Sequence, residues 1–210
     1  MQWLLVLSGG VLAYLLGSIP TAVWVGKWFY GIDIREKGSG NAGATNTIRI
    51  LGIKAGIPVI LIDVFKGFLA VWFMERFVPV GWTVTQAVYA DMAAGFLAVI
   101  GHVFPLFAAF RGGKGVATLL GMGIALFPHV IWIPVVVFIA TVWITGYVSL
   151  GSMLAGLSFP VADIWLFHDR HPGKIVFAIT AALFLLYTHR QNIKRLWKGQ
   201  ENRFRRVKKT

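Results

Sequence analysis

Apolar residues dominate long stretches of this chain, and polar positions are gathered into short interruptions between them. Runs approaching the ~20 residues of a membrane-spanning helix lie at Trp3–Val25, Ala55–Phe77, Gln86–Phe110, Val116–Phe127, Val130–Gly146, Ser152–Phe167 and Ile175–Tyr187. The pattern predicts an all-α integral membrane protein of about seven transmembrane helices. The fourth and fifth runs together fall short of the ~40 residues that two full spans need, and Pro128 and Pro134 imply short or bent helices there. Keeping both, as crossings or as a re-entrant pair, leaves the basic tail on the same side as the other basic loops.

Three of the interruptions hold glycine and polar residues together: Gly38 to Asn46, Phe110 to Gly115, and Thr188 to Asn192. Backbone unwound beside a bilayer persists only where it lines a water-filled or ligand-filled cavity. Lys or Arg accompanies each cluster, which points to an anionic ligand and to an active site built from these loops.

Composition agrees with the membrane reading, with 57% hydrophobic and 13% charged residues and a mean hydropathy of +0.73; soluble domains carry about 25% charge. There are no cysteines, which excludes disulfides, thiolate zinc sites and a cysteine nucleophile. The net charge of +12 is concentrated in a tail that begins near residue 190. Such a tail suits anionic lipid head groups better than nucleic acid. Sixteen of the 20 Lys and Arg residues fall on one face, against Arg76, Arg170 and Lys174 on the other. The positive-inside rule then puts the N-terminus outside, and the C-terminus and all three clusters in the cytoplasm. No repeat or second domain is visible, so residues 1–210 are read as one transmembrane domain with a membrane-surface tail.

In the first cluster, Gly38-Ser39-Gly40-Asn41-Ala42-Gly43-Ala44-Thr45-Asn46, small residues let several backbone N–H groups face one oxyanion, and a short helix bearing Arg49 adds its N-terminal partial charge. A loop merely packed between helices would use the same glycines. The GxxxxGK[ST] order of a nucleotide P-loop is absent. In the second cluster, Arg111 and Lys114 bracket Gly112 and Gly113, and Val116 restarts a helix aimed at the same spot; a tight turn with topology-setting charges is the plainer reading. His102 precedes it by about two and a half turns, as a packing residue or a base. In the third, His189, Asn192 and Arg195 recur at three-residue steps on one helical face, ahead of Glu201. From Lys198 onward, through Arg203, Arg205, Arg206, Lys208 and Lys209, lipid-facing charge is expected.

Asp63 and Lys66 stand three apart in the second run, and structural pairing is expected of charges so placed. Ser149 and Ser152 flank Gly151, where they serve either a phosphate or the cap of the sixth helix.

The blocks GSGNAGATN, HVFPLFAAFRGGKGVAT and THRQNIKRLWKGQE, in this order on one side of a small helical membrane protein, resemble the three cytoplasmic motifs of the PlsY family of acyl-phosphate:glycerol-3-phosphate acyltransferases. The resemblance runs over essentially the whole chain. It implies transfer of a fatty acyl group from acyl phosphate to the 1-hydroxyl of glycerol 3-phosphate, giving lysophosphatidic acid and phosphate at a bacterial inner membrane. By that resemblance His189, Asn192, Lys114 and Ser39 carry the reaction. Gly40, Asn41, Thr45, Asn46, Arg49, His102, Arg111, Gly112, Gly113, Ser149, Arg190 and Glu201 bind substrate phosphate or orient glycerol 3-phosphate.

Acyl phosphate is already activated, so direct attack without a covalent acyl-enzyme suffices, and no cofactor is required. His102, His189 or an oxygen of the acyl phosphate takes the hydroxyl proton, the last being favoured. The His-x4-Asp signature of another acyltransferase class is absent, because the residues five after His102, His129, His168, His171 and His189 are Phe107, Pro134, Gly173, Val176 and Lys194. Scattered acidic residues argue against a metal centre. A transporter of phosphate or a phosphorylated solute is the competing class, disfavoured because every glycine-rich cluster lies on one face; a scaffold would not need three anion sites. Expected partners are the two substrates and membrane lipid, without nucleic acid, and the basic tail is a candidate docking surface for the enzyme that makes acyl phosphate.

Overall fold

A computed structural model describes residues 2–204, and the regular structure within them is helical. The basic residues Arg205, Arg206, Lys208 and Lys209 of the expected tail lie outside the described residues. Packing divides the chain into two compact units, Met1–Pro128 and His129–Thr210.

The first unit contains α1 (Gln2–Gly17), α2 (Thr21–Tyr30), α3 (Ala44–Leu51), α4 (Ile53–Met74), α5 (Val84–Val103) and α6 (Val116–Leu126), with 3-10 turns at Ile34–Glu36 and Leu106–Ala108. The second contains α7 (Trp132–Thr145), α8 (Val148–Val161) continued by a π-helical turn at Ala162–Leu166, α9 (Pro172–Thr188) and α10 (Arg190–Trp197).

Apolar length alone accounts for three spans, Ile53–Met74, Val84–Ala108 and Val148–Leu166, and two bent pairs raise the number to five. The expected first span, Trp3–Val25, is one of these pairs, α1 and α2 meeting at 41°. Pro20 cannot donate to the helical ladder and pushes Ile19 out of helical geometry, so the helix restarts at Thr21. The other pair, α9 and α10, bends by 59°. In place of the expected fourth and fifth spans stand α6 and α7, of 11 and 14 residues. At 1.5 Å per residue each is shorter than the ~30 Å hydrocarbon core.

Large apolar side chains point outward, among them Phe29, Trp143, Ile144 and Trp165, each at least 75% exposed. An aqueous surface would not carry them in this number; lipid does. Inside the first unit the core is made of small residues instead, Ala13, Ala70, Ala90, Ala94 and Ala98 with Met74. Tails of lipid are as apolar as leucine, so helices gain by close approach rather than by burying large groups. Gly17 meets the backbone of Ala98 and Gly67 that of Thr118, contacts that any Cβ would block. These contacts seat α1 on α5 and α4 on α6, which brings the loops between them to fixed positions.

Candidate active site

The Gly38–Asn46 segment is shaped from within by the Asn46 amide. Its Oδ1 accepts from Ser39 N at 2.9 Å, and its Nδ2 donates to the carbonyls of Ile34 and Lys37 at 3.0 Å each. All of these partners are backbone, and Asn46 is buried. The residue assigned to phosphate by resemblance is therefore the brace of the loop, because its amide has no orientation left for a ligand. Gly38 and Gly40 adopt φ of +59° and +72°, a region where a side chain on most residues is strained. Ser39, Asn41 and Thr45 are half-buried and Arg49 is exposed. α3 begins at Ala44, so its first amides belong to the same loop.

Arg35 enters the sequence reading only as a topology-setting charge. Asp33 caps the 3-10 turn by accepting from Arg35 N at 3.0 Å, and the Arg35 guanidinium clasps the same carboxylate through Nε at 3.0 Å and Nη2 at 2.7 Å. Its Nη1 donates to Ala108 O at 2.8 Å, tying the first loop to the second. The Arg35 hydrogen bond, with a weaker one from Lys27, holds the Asp33 carboxyl well below the usual carboxylate range, and the Arg35 guanidinium is raised in turn. An Asp-x-Arg pair ahead of a glycine loop was the available signal, but its long-range partner was not.

In the second loop, Ala109 and Phe110 turn through φ of +53° and +58°. The Gly112 and Gly113 amides then donate to the carbonyls of Val103 and His102, both at 3.1 Å. They finish the C-terminus of α5 instead of facing an anion. A Cβ on Gly112 would strike the His102 carbonyl, and one on Gly113 the His102 Nε2. Close packing, not ligand approach, is thus the reason for these two glycines. Arg111 is exposed and Lys114 half-buried beside them, at the start of α6. His102 is itself buried, its Nδ1 3.6 Å from Asp63 Oδ1. Asp63 and Lys66 form the expected pair at 2.9 Å.

The second unit gathers its polar residues around Glu201. Oε1 accepts from Asn192 Nδ2 at 2.7 Å and from Ser149 Oγ at 2.8 Å, while Oε2 accepts from Arg195 Nε at 2.9 Å. Burial opposes the charge of Glu201, but the bonds from Asn192, Ser149 and Arg195 outweigh it and keep the carboxyl below its ordinary value. Glu201 was expected on the substrate. Its Oε1 instead orients Asn192 and Ser149, and a carboxylate pressed against a phosphate would repel it.

His189 occupies the bend between α9 and α10, buried, with Nδ1 2.9 Å from Leu185 O. In the neutral ring that contact makes Nδ1 the protonated nitrogen and places the lone pair on Nε2. Arg190 folds back, donating to Tyr187 O at 3.1 Å with its guanidinium 4.4 Å from the Tyr187 ring centre. The chain after α10 is pinned by Arg203 Nε to the Tyr147 hydroxyl at 3.0 Å and by Phe204 N to Gly146 O at 2.7 Å. Among the described residues no cluster of His, Cys, Asp or Glu is placed to hold a metal.

The glycerol-3-phosphate acyltransferase family model matches residues 7–199. The chain belongs to the glycerol-3-phosphate acyltransferase family. The glycerol-3-phosphate acyltransferase of Chlorobaculum tepidum is 43% identical, with 92% of this chain and 94% of that one covered. The one from Fusobacterium nucleatum is 40% identical, over 93% and 96% of the two chains. Crystal structures of PlsY, an integral membrane glycerol 3-phosphate acyltransferase, are also similar. Its glycerol 3-phosphate form has a TM-score of 0.84 at 35% identity over 95% of this chain and 96% of that one. The lysophosphatidic acid form has a TM-score of 0.81 at 34% identity, covering 94% of each. The present protein is an integral membrane acyltransferase of this family, and the transporter alternative loses its ground.

Proposed function

We propose that this acyltransferase uses acyl phosphate as donor and glycerol 3-phosphate as acceptor, by direct attack. The observation that carries the reading is the Arg35–Ala108 hydrogen bond, 2.8 Å long, which joins two cation-bearing loops in one unit. A reaction between two phosphorylated substrates calls for two such loops. Ser39, Asn41, Thr45 and Arg49 take one phosphate, and Arg111 and Lys114 the other. Charge-assisted contacts of this kind are stronger than neutral ones. His189 and Asn192, with Ser149, act on glycerol 3-phosphate.

The 1-hydroxyl oxygen attacks the acyl carbon, a tetrahedral adduct forms, and the bond from that carbon to the phosphate oxygen breaks. The hydroxyl proton passes to the departing phosphate, whose oxygens grow more basic as the bond lengthens. Lysophosphatidic acid and inorganic phosphate are the products. No acyl-enzyme is needed, since the donor is already activated and orientation with charge stabilisation lowers the barrier. The positive-inside pattern supports an outer N-terminus and a cytoplasmic site at a bacterial inner membrane. The basic residues after Phe204 serve anionic lipid, and they are the surface on which an acyl-phosphate-producing enzyme would dock.

The purified protein in detergent is given acyl phosphate with and without glycerol 3-phosphate, following phosphate release and labelled lipid. The expected result is release that depends on glycerol 3-phosphate and equals the lysophosphatidic acid formed. Turnover with acyl thioester and none with acyl phosphate would overturn the donor. His189→Ala that kept substrate binding and lost nearly all turnover would argue for a protein base in place of the departing phosphate. As the chain has no cysteine, single cysteines introduced near Val80 and Gln200 report orientation directly, the first labelled from outside and the second only from the cytoplasm.

A further inference from the structure

Beneath the second cationic loop the first unit holds ionisable groups that acyl transfer, as described, leaves idle. Thr21, Asp63, Lys66 and His102 are all buried. Lys66 Nζ lies 2.9 Å from Asp63 Oδ1 and donates to Ile19 O at 2.9 Å. Thr21 Oγ1 donates to the same Oδ1 at 3.0 Å. His102 Nδ1 faces it at 3.6 Å, beyond hydrogen-bond range, so that contact is electrostatic. Groups from α2, α4 and α5 therefore converge on one oxygen.

Charges at membrane depth are costly enough that a role is expected of them. Fastening helices is a poor one, because apolar residues of similar size hold buried interfaces as well as an ion pair does. The position of the imidazole separates the two cases. One edge of His102 faces Asp63, and the other lies against Gly113, where even a Cβ would collide with Nε2. The main chain repeats the connection, His102 O accepting from Gly113 N at 3.1 Å and Val103 O from Gly112 N at 3.1 Å. A shift of the ring moves Gly113, and with it the adjoining Lys114.

We propose that Asp63, acting through His102, positions the Arg111–Lys114 loop for its phosphate, and that Lys66 and Thr21 fix the carboxylate for that task. All four are positioning residues that touch no substrate. The inference rests on the reading of this loop as a phosphate site. It assigns His102 a place under the loop in preference to the roles of base or ligand.

The test uses full-length enzyme in detergent and measures KM for glycerol 3-phosphate and for acyl phosphate separately, with kcat and the melting temperature. His102→Gln removes the ring. Asp63→Asn with Lys66→Met removes both charges, which avoids leaving one of them buried alone. The expected result for both is a KM for one phosphorylated substrate raised about 10-fold, since small misplacements of a binding group are amplified, with the KM for the other nearly unchanged. A lost packing contact would lower the melting temperature and the active fraction without moving either KM. Unchanged KM values for both substrates in folded His102→Gln would overturn the proposal, whether or not the paired variant folds. Lys114→Ala, made alongside, tells which reading has failed: if it raises a KM, the loop still binds phosphate and only the positioning role falls; if it does not, the loop reading falls as well.

Discussion

Each unit of this protein holds a polar side chain to which several neighbours bond, Asn46 in one and Glu201 in the other, and the two differ in kind. In the first unit the hub is Asn46, a neutral amide that binds three backbone groups of the Gly38–Asn46 loop. In the second it is Glu201, a carboxylate that binds the side chains of Ser149, Asn192 and Arg195. The amide offers donors and an acceptor together, which suits a loop whose own N–H and C=O groups both need partners. The carboxylate only accepts, which suits donors that must be aimed. One hub shapes a chain, and the other orients functional groups. They should fail differently.

Glu201→Ala should show the largest effect. It leaves Asn192, Ser149 and Arg195 without their shared acceptor, at a cost of about 2–4 kcal/mol for the loss of charge-assisted hydrogen bonds to a part-buried carboxylate. Turnover should drop by about 100-fold or more, read as kcat alongside the melting temperature in detergent. Stability unchanged with turnover lost would mean that Glu201 acts on substrate after all.

Asn46→Ala comes next, at about 2–4 kcal/mol for stranding several buried backbone groups. Asn46→Asp sharpens the point. It keeps the acceptor facing Ser39 N but turns the donor side toward the Ile34 and Lys37 carbonyls into a second acceptor, so it should be no better than Asn46→Ala. A raised KM for one substrate is expected of whichever variant folds.

Proton concentration separates the hubs without mutation. Glu201 titrates below its ordinary value, so its contribution is fully present above the unfolded carboxyl pKa of about 4.3 and is lost as pH falls through the depressed folded value. Asp33, lowered chiefly by Arg35, has the same sign in the first unit. Asn46 does not titrate. The acid limb of the stability profile should therefore shrink in Glu201→Gln and persist unchanged in Asn46→Ala, as measured by melting temperature between about pH 3 and 6.

The smallest effect belongs to the strap at the end of the second unit. Tyr147→Phe removes the hydroxyl that accepts from Arg203 but keeps the ring, 5.1 Å from the guanidinium. An exposed contact of this sort is worth less than about 1 kcal/mol, and turnover should barely change.

Much of this architecture was legible along the chain. Apolar runs marked the helices, since a span must be apolar over its length and satisfy its own backbone, whatever its neighbours do. Even so, the bend after α1 turned on Pro20, and the shortness of α6 and α7 was visible as a shortage of residues. The three polar clusters were equally plain, because glycine beside a cation is a local pattern. Asp63 and Lys66 paired as their spacing on α4 implied.

Hidden from that reading was how each polar group would be employed. Asn46 and Glu201 were assigned to substrate, and each is bonded to several partners within the protein. Gly112 and Gly113 close a helix end. Arg35 counted only as a topology-setting charge, although it joins two loops. The residues themselves determined a helical membrane protein and which segments bring glycine and cations together, since composition and short spacing decide those. Only the tertiary structure decided which donors and acceptors are left for substrate, because that depends on partners 73 residues apart at Arg35 and Ala108 and 52 apart at Ser149 and Glu201. A hydrogen bond is made or lost within a fraction of an ångström, and helix packing sets that distance across the fold.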